Sequence, residues 1–179
     1  LAMVENIDWN VGRVLAKLDE LKIADNTIVI YFNDNGPNSN RWNAGMKGKK
    51  GSTDEGGVRS PLFVRWPNGV KGAGRRVNQI CGAIDLYPTL LAATGSVNVG
   101  DKVLDGKNLL PIWDGSEANL GFRMLFSYWR GKASVRTQQF RLDNNGWLFD
   151  MLTDPHQKKD ISSDQPAVAA LLLGSLIRF

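Results

Sequence analysis

The chain has one cysteine and one histidine in 179 residues. A single thiol, Cys81, excludes an internal disulfide and a cysteine zinc site. Its neighbours Ile80, Gly82 and Ala83 offer no activating base, so a buried thiol is expected. His156 lies in a polar Asp-Pro turn, TDPHQKKD, and one imidazole cannot build a histidine metal cluster or anchor a Ser-His-Asp triad. No apolar run approaches the ~20 residues that span a bilayer, and the N-terminus lacks the charged-then-apolar pattern of a signal peptide. Leu1 opens directly into a helical pattern with no capping residue before it, as expected of a chain that starts inside a longer protein.

What is present suits a folded domain: 42% of residues are hydrophobic, 22% are charged, and the net charge is +4. The modest excess of cations fits an anionic substrate, a missing acidic half, or no particular partner. Residues 3–21 place Met3, Ile7, Val11, Val14, Leu15, Leu18 and Leu21 at spacings of three and four, which predicts an amphipathic helix. Thr27 to Phe32, TIVIYF, is a β-branched and aromatic run that reads as a strand buried on both faces. Ser60 to Trp66 is a second strand and Asn78 to Ala83 a short third. Leu86 to Thr94 reads as a helix with Asp85 as N-cap, Pro88 in the first turn and Gly95 as the stop.

Ser96 to Leu120 is a loop around one helical turn, and the domain boundary falls within it, giving units 1–117 and 118–179. Beyond it, Phe122–Trp129, Ala133–Leu142 and Trp147–Asp150 read as an antiparallel sheet. Asn144-Asn145-Gly146 marks a hairpin. A last helix, capped by Ser163 or Asp164, carries Val168, Leu171, Leu172 and Leu176 as the stripe that covers this sheet.

The chemistry concentrates between Tyr31 and Arg59, YFNDNGPNSNRWNAGMKGKKGSTDEGGVR. Asp34, Asn35 and Gly36 follow a strand, the position where open α/β sheets collect ligands. The loop after them is long enough to suggest a function. A carboxylate and an amide oxygen suit a hard divalent cation, and Lys50 with Lys47 and Lys49 suits an anion. Alone, Asp-Asn-Gly is an ordinary turn sequence and the lysines are ordinary loop lysines.

Four blocks together resemble the sulfatase family, the arylsulfatase-like branch of the alkaline phosphatase superfamily. They are ENIDWNVGRVLAKLDELKIADNTIVIYFNDNG, KGKKGSTDEGGVRSPLFVRWP, AIDLYPTLLAATG and WLFDMLTDPHQKKDIS. The resemblance implies an α/β fold, the C-terminal part of an alkaline-phosphatase-like sandwich followed by a small antiparallel sheet packed with a C-terminal helix. It implies Asp34 and Asn35 as ligands of calcium, with magnesium as the alternative, and Lys50 as the catalytic, sulfate-contacting lysine. Lys47, Arg41 and Asn43 become candidate substrate contacts, and Glu55 and Arg59 a pair that pins the loop presenting Lys50.

The implied activity is sulfate-ester hydrolysis, on an aryl or carbohydrate sulfate, by a formylglycine nucleophile. The Cys/Ser-x-Pro/Ala-x-Arg motif that yields formylglycine is not in this sequence: Cys81 is followed by Gly-Ala-Ile-Asp. The chain by itself is therefore expected to be inactive, and the parent to be periplasmic or secreted. Alternatives are a phosphodiesterase or phosphonate hydrolase of the same superfamily, or a non-catalytic binder of sulfated glycans. Nucleic acid is disfavoured because the cations are scattered over a loop, a strand and a turn with no reading motif.

Overall fold

The computed structural model describes residues 2–39 and 41–179; Asn40, inside the expected long loop, lies outside the described residues. Helix α1 spans Ala2–Glu20 and follows the predicted stripe, but none of its residues is buried. Only Val11, Leu15 and Leu18 are half-buried, while Met3, Ile7 and Val14 face out. A single 3-10 turn, Ala24–Asn26, leads into β1, Val29–Phe32. β1 pairs antiparallel with β2, Leu62–Arg65, in the register Val29↔Arg65 to Phe32↔Leu62. The two strands form a sheet of their own. TIVIYF was expected to be covered on both sides; instead no β1 residue is fully buried and Phe32 is exposed, because one ladder and one helix do not cover both faces.

Between the strands the chain loops out and makes one helical turn, α2, Glu55–Val58. α3, Leu86–Thr94, ends on Gly95 at φ +65, the left-handed cap that glycine permits. The strand expected at Asn78–Ala83 does not form. The Gln138 side chain takes the place of a ladder partner, accepting from the Ile80 N–H at 3.0 Å and donating to the Asn78 carbonyl at 2.9 Å. Asp85 does not cap α3 with its side chain. Its fully buried carboxylate accepts two hydrogen bonds from Arg123, at 2.7 and 2.9 Å, and one each from the backbone N–H groups of Gly82 and Lys107. A carboxylate buried this deeply requires a charged partner and satisfied lone pairs, so the tertiary pair displaces the local cap. α4, Leu110–Trp113, is the single turn expected in the connecting loop.

The last third forms a four-stranded antiparallel sheet, β3 (Leu125–Trp129), β4 (Lys132–Arg136), β5 (Phe140–Leu142) and β6 (Leu148–Asp150), in sequential order. The single strand expected over Ala133–Leu142 is therefore two strands. Thr137 turns the chain by donating its N–H to the Phe140 carbonyl at 2.8 Å and accepting the Phe140 N–H on its hydroxyl at 2.9 Å. α5, Pro166–Arg178, starts after Gln165 with no side-chain cap, so neither Ser163 nor Asp164 plays that part. Leu172 joins Val135, Leu142 and Leu148 in a buried cluster against which Val168 and Leu176 pack. Leu171, expected in that stripe, is 56% exposed, because one residue is a 100° rotation on a helix and carries it off the face of Leu172.

Candidate active site

The Asp34-Asn35-Gly36 turn leaves β1 and is pressed directly onto α2. The Gly36 N–H donates to the Gly57 carbonyl at 2.9 Å. A Cβ on Gly36 would sit 1.8 Å from the Gly56 carbonyl oxygen, so only glycine allows this approach. The loop 47–52 wraps the other side of the same turn: Cβ atoms at Gly56 and Gly57 would lie 2.7 Å from the carbonyl oxygens of Lys47 and Lys49. The Lys50 N–H then donates to the Pro37 carbonyl at 2.9 Å. The backbone thus brings the Asp34-Asn35 turn and the Lys50 loop together around two glycines. The Asp34 and Lys50 side chains are both exposed.

The C-terminal sheet holds this assembly from behind. Arg141 on β5 donates to the Glu55 carboxylate at 2.8 Å, to the Thr53 carbonyl at 2.7 Å and to the Ser134 hydroxyl at 2.9 Å. Ser134 donates in turn to the same Thr53 carbonyl at 2.7 Å. Arg136 lies 3.4 Å from Glu55, and the Glu55 N–H donates to Gln157 at 2.9 Å. These contacts cross the boundary expected at 117/118. Burial pushes Glu55 up, but Arg141, Arg136 and Arg59 outweigh it and hold the carboxyl below its ordinary value. Arg59, expected to be the pinning partner, is 62% exposed and reaches Glu55 at 3.5 Å, so the buried anchor is Arg141.

Of the other candidates, Lys47 is engaged within the fold. Its ammonium lies 3.4 Å from both Asp54 and Asp143 and over the rings of Trp147 and Phe149. The Asn43 side-chain nitrogen donates to the carbonyls of Met46 and Gly48. Arg41 and Asn43 line an open groove of about 340 Å³ with Lys49. A neighbouring groove of about 300 Å³ is lined by Asn35, Trp42, Asn43, Met46 and Arg59. Cys81 is half-buried, and burial together with Asp85 raises its thiol above the ordinary range, so it is held protonated. His156 packs under Gly45.

Asp34 and Asn35 are compatible with a divalent cation. Among the described residues the Asp34 carboxylate has no hydrogen-bond or ion-pair partner, and Asn35 donates its nitrogen to the Gly36 carbonyl at 2.8 Å, leaving its oxygen as an acceptor. These are two hard oxygens where calcium takes six to eight. No group of three or more His, Cys, Asp or Glu able to hold a metal is found among the described residues.

A sequence profile described as Sulfatase matches residues 1–96, more than half of the chain. The chain belongs to the sulfatase family. This sulfatase chain is 38% identical to human arylsulfatase H over 135 residues, which cover 70% of the chain and 24% of the relative. It therefore spans about a quarter of the length of such relatives. Among solved structures it superimposes on Ps i-CgsB with a TM-score of 0.83 at 30% identity, over 97% of the chain and 40% of that protein. It also matches the phosphonate monoester hydrolase of Agrobacterium radiobacter, with a TM-score of 0.73 at 27% identity, over 97% of the chain and 38% of that protein. The expected α/β, alkaline-phosphatase-like fold is the fold of these neighbours. What reading the sulfatase sequence missed is its support: Arg141, Ser134 and Gln157. The one local signal was an arginine set between Phe140 and Leu142 in a short apolar strand.

Proposed function

We propose that the protein containing this chain hydrolyses a sulfate ester, R–O–SO3⁻ plus water giving R–OH plus sulfate. The observation that carries the reading is the shared backbone junction at Gly36, Gly56 and Lys50, which holds an oxygen-ligand turn beside a lysine loop. Asp34 and Asn35 bind the divalent metal, calcium or magnesium, through their side-chain oxygens. When bound, the cation supplies Lewis-acid polarisation of sulfate oxygens. Lys50 places its ammonium against the sulfuryl group and stabilises the charge that builds as the bond to the leaving oxygen breaks. Arg141 acts through Glu55 and Thr53, fixing the loop that carries Lys50. The formylglycine nucleophile comes from a segment these 179 residues do not contain, so this chain alone releases no sulfate. The parent works in the periplasm or outside the cell.

The test is made in the full-length enzyme with an aryl sulfate. Asp34→Ala lowers metal affinity, read by calorimetry, together with turnover. Lys50→Ala leaves calcium binding intact and lowers the rate by ~10²–10³-fold, the loss typical of one electrostatic donor. Asp34→Ala with unchanged metal affinity and turnover would refute the metal role. A second reading, phosphonate ester hydrolysis, draws on the likeness to the phosphonate monoester hydrolase. Faster turnover of a phenyl phosphonate ester than of the aryl sulfate would favour it.

A further inference from the structure

We infer that the groove beside the Lys50 loop is a subsite for a second anionic group, and that the substrate is a multiply sulfated oligosaccharide. This rests on the sulfatase reading above and narrows its substrate class. The first observation is which cations are available. Lys47 is neutralised by Asp54 and Asp143 and covered by Trp147 and Phe149. Arg41 and Lys49, in contrast, have no side-chain hydrogen bond or ion pair among the described residues, and both line one groove of about 340 Å³. Lys49 is the chain neighbour of Lys50, the sulfate-contacting residue of the reading above, while Lys50 itself lines neither groove.

The second observation is continuity. Asn43 and Met46 line both this groove and the neighbouring one that contains Asn35 and Trp42. The two grooves therefore adjoin at Asn43 and Met46, one holding Asn35 and Trp42 and the other Arg41 and Lys49. Trp42 is 89% exposed on the wall of its groove, and the electron-rich face of an indole attracts the polarised C–H groups of a sugar ring. The guanidinium fork of Arg41 matches two oxygens of a sulfate, and Lys49 adds a point charge. The other residues of the cationic groove are Ser39, Asn43, Met46 and Gly48, which suit a charged or polar group, whereas Pro37, Trp42, Ala44, Met46 and Pro61 give the neighbouring groove the apolar wall on which a ring packs. Such a substrate is held by one ring on Trp42 and one sulfate on Arg41 and Lys49, while the reacting sulfate lies at Asn35 and Lys50.

The experiment uses the full-length enzyme and two tetrasaccharides that differ only in carrying one sulfate or two. The double variant Arg41→Ala/Lys49→Ala lowers the ratio of kcat/KM for the disulfated over the monosulfated substrate by about 10-fold or more, through KM, as expected for a lost charge-assisted pair. The wild-type preference for the disulfated substrate shrinks as ionic strength rises. The charge-keeping variant Arg41→Lys/Lys49→Arg retains most of the preference, which separates charge from folding. An unchanged ratio in the alanine variant, or no wild-type preference, overturns the subsite while leaving the hydrolase reading standing. Calorimetric binding of the disulfated tetrasaccharide that depends on Arg41 and Lys49, with no sulfate released from either substrate, would support the subsite and refute the hydrolase reading.

Discussion

The two ends of the chain answer the same packing requirement differently. At the C-terminal end four strands and α5 close on Val135, Leu142, Leu148 and Leu172, all essentially free of solvent contact. At the N-terminal end α1 and the β1–β2 ladder are also rich in apolar residues, yet α1 buries none of them. The C-terminal unit completes its own core and then uses its inner polar residues, Ser134 and Arg141, to grip the Lys50 loop. The N-terminal unit carries the candidate site residues at the end of β1 but keeps an apolar face uncovered, and Arg141 of its neighbour holds Thr53 and Glu55 behind them. Candidate site residues and their support are thus provided by different parts of the chain, joined by a buried ion cluster at Glu55.

The largest expected effect breaks that junction. Arg141→Ala leaves Glu55 buried against weaker partners and should destabilise the chain by ~3–5 kcal/mol, read as a lower denaturant midpoint. A loss below ~1 kcal/mol would mean that the two units are not coupled through Glu55.

The same cluster sets a pH dependence. Glu55 has a folded value below its ordinary 4.5, so its contribution is fully present above pH 4.5 and is lost as pH falls through the lower folded value. Unfolding curves of wild type and Glu55→Gln should therefore differ most near neutrality and converge in acid. Curves that stay equally far apart down to the acid limit would assign the difference to packing instead of charge.

The smallest effect on stability should come from the other end. Ile7→Ser with Val14→Ser touches exposed positions of α1 and should shift the stability of this chain by no more than ~0.5 kcal/mol. Its effect appears in association: the uncovered apolar face should make the 179-residue chain self-associate, and the double variant should do so less, by sedimentation. A wild-type chain that sediments as a monodisperse monomer would show that this face is tolerated without a partner.

Residue order alone determined the elements whose causes are local. α1 follows from apolar spacing, α3 from Pro88 and the Gly95 stop, the β5–β6 hairpin from Asn144-Asn145-Gly146, and the site turn from a strand that ends in Asp34-Asn35-Gly36. That Gly56 and Gly57 lie against the backbone of the Lys47–Lys49 loop was not legible. Tertiary structure decided that Asp85 pairs with Arg123 in place of capping α3, that Gln138 stands in for a strand partner, and that Leu171 faces water. It also decided that Lys47 is held by two carboxylates while Arg41 and Lys49 line a groove. The physical reason is range: periodicity and turn chemistry act over a few residues, whereas Arg136 and Arg141 stand 81 and 86 residues from Glu55. Which buried charge meets which is set by packing, since a carboxylate removed from water accepts the cation that the fold brings to it.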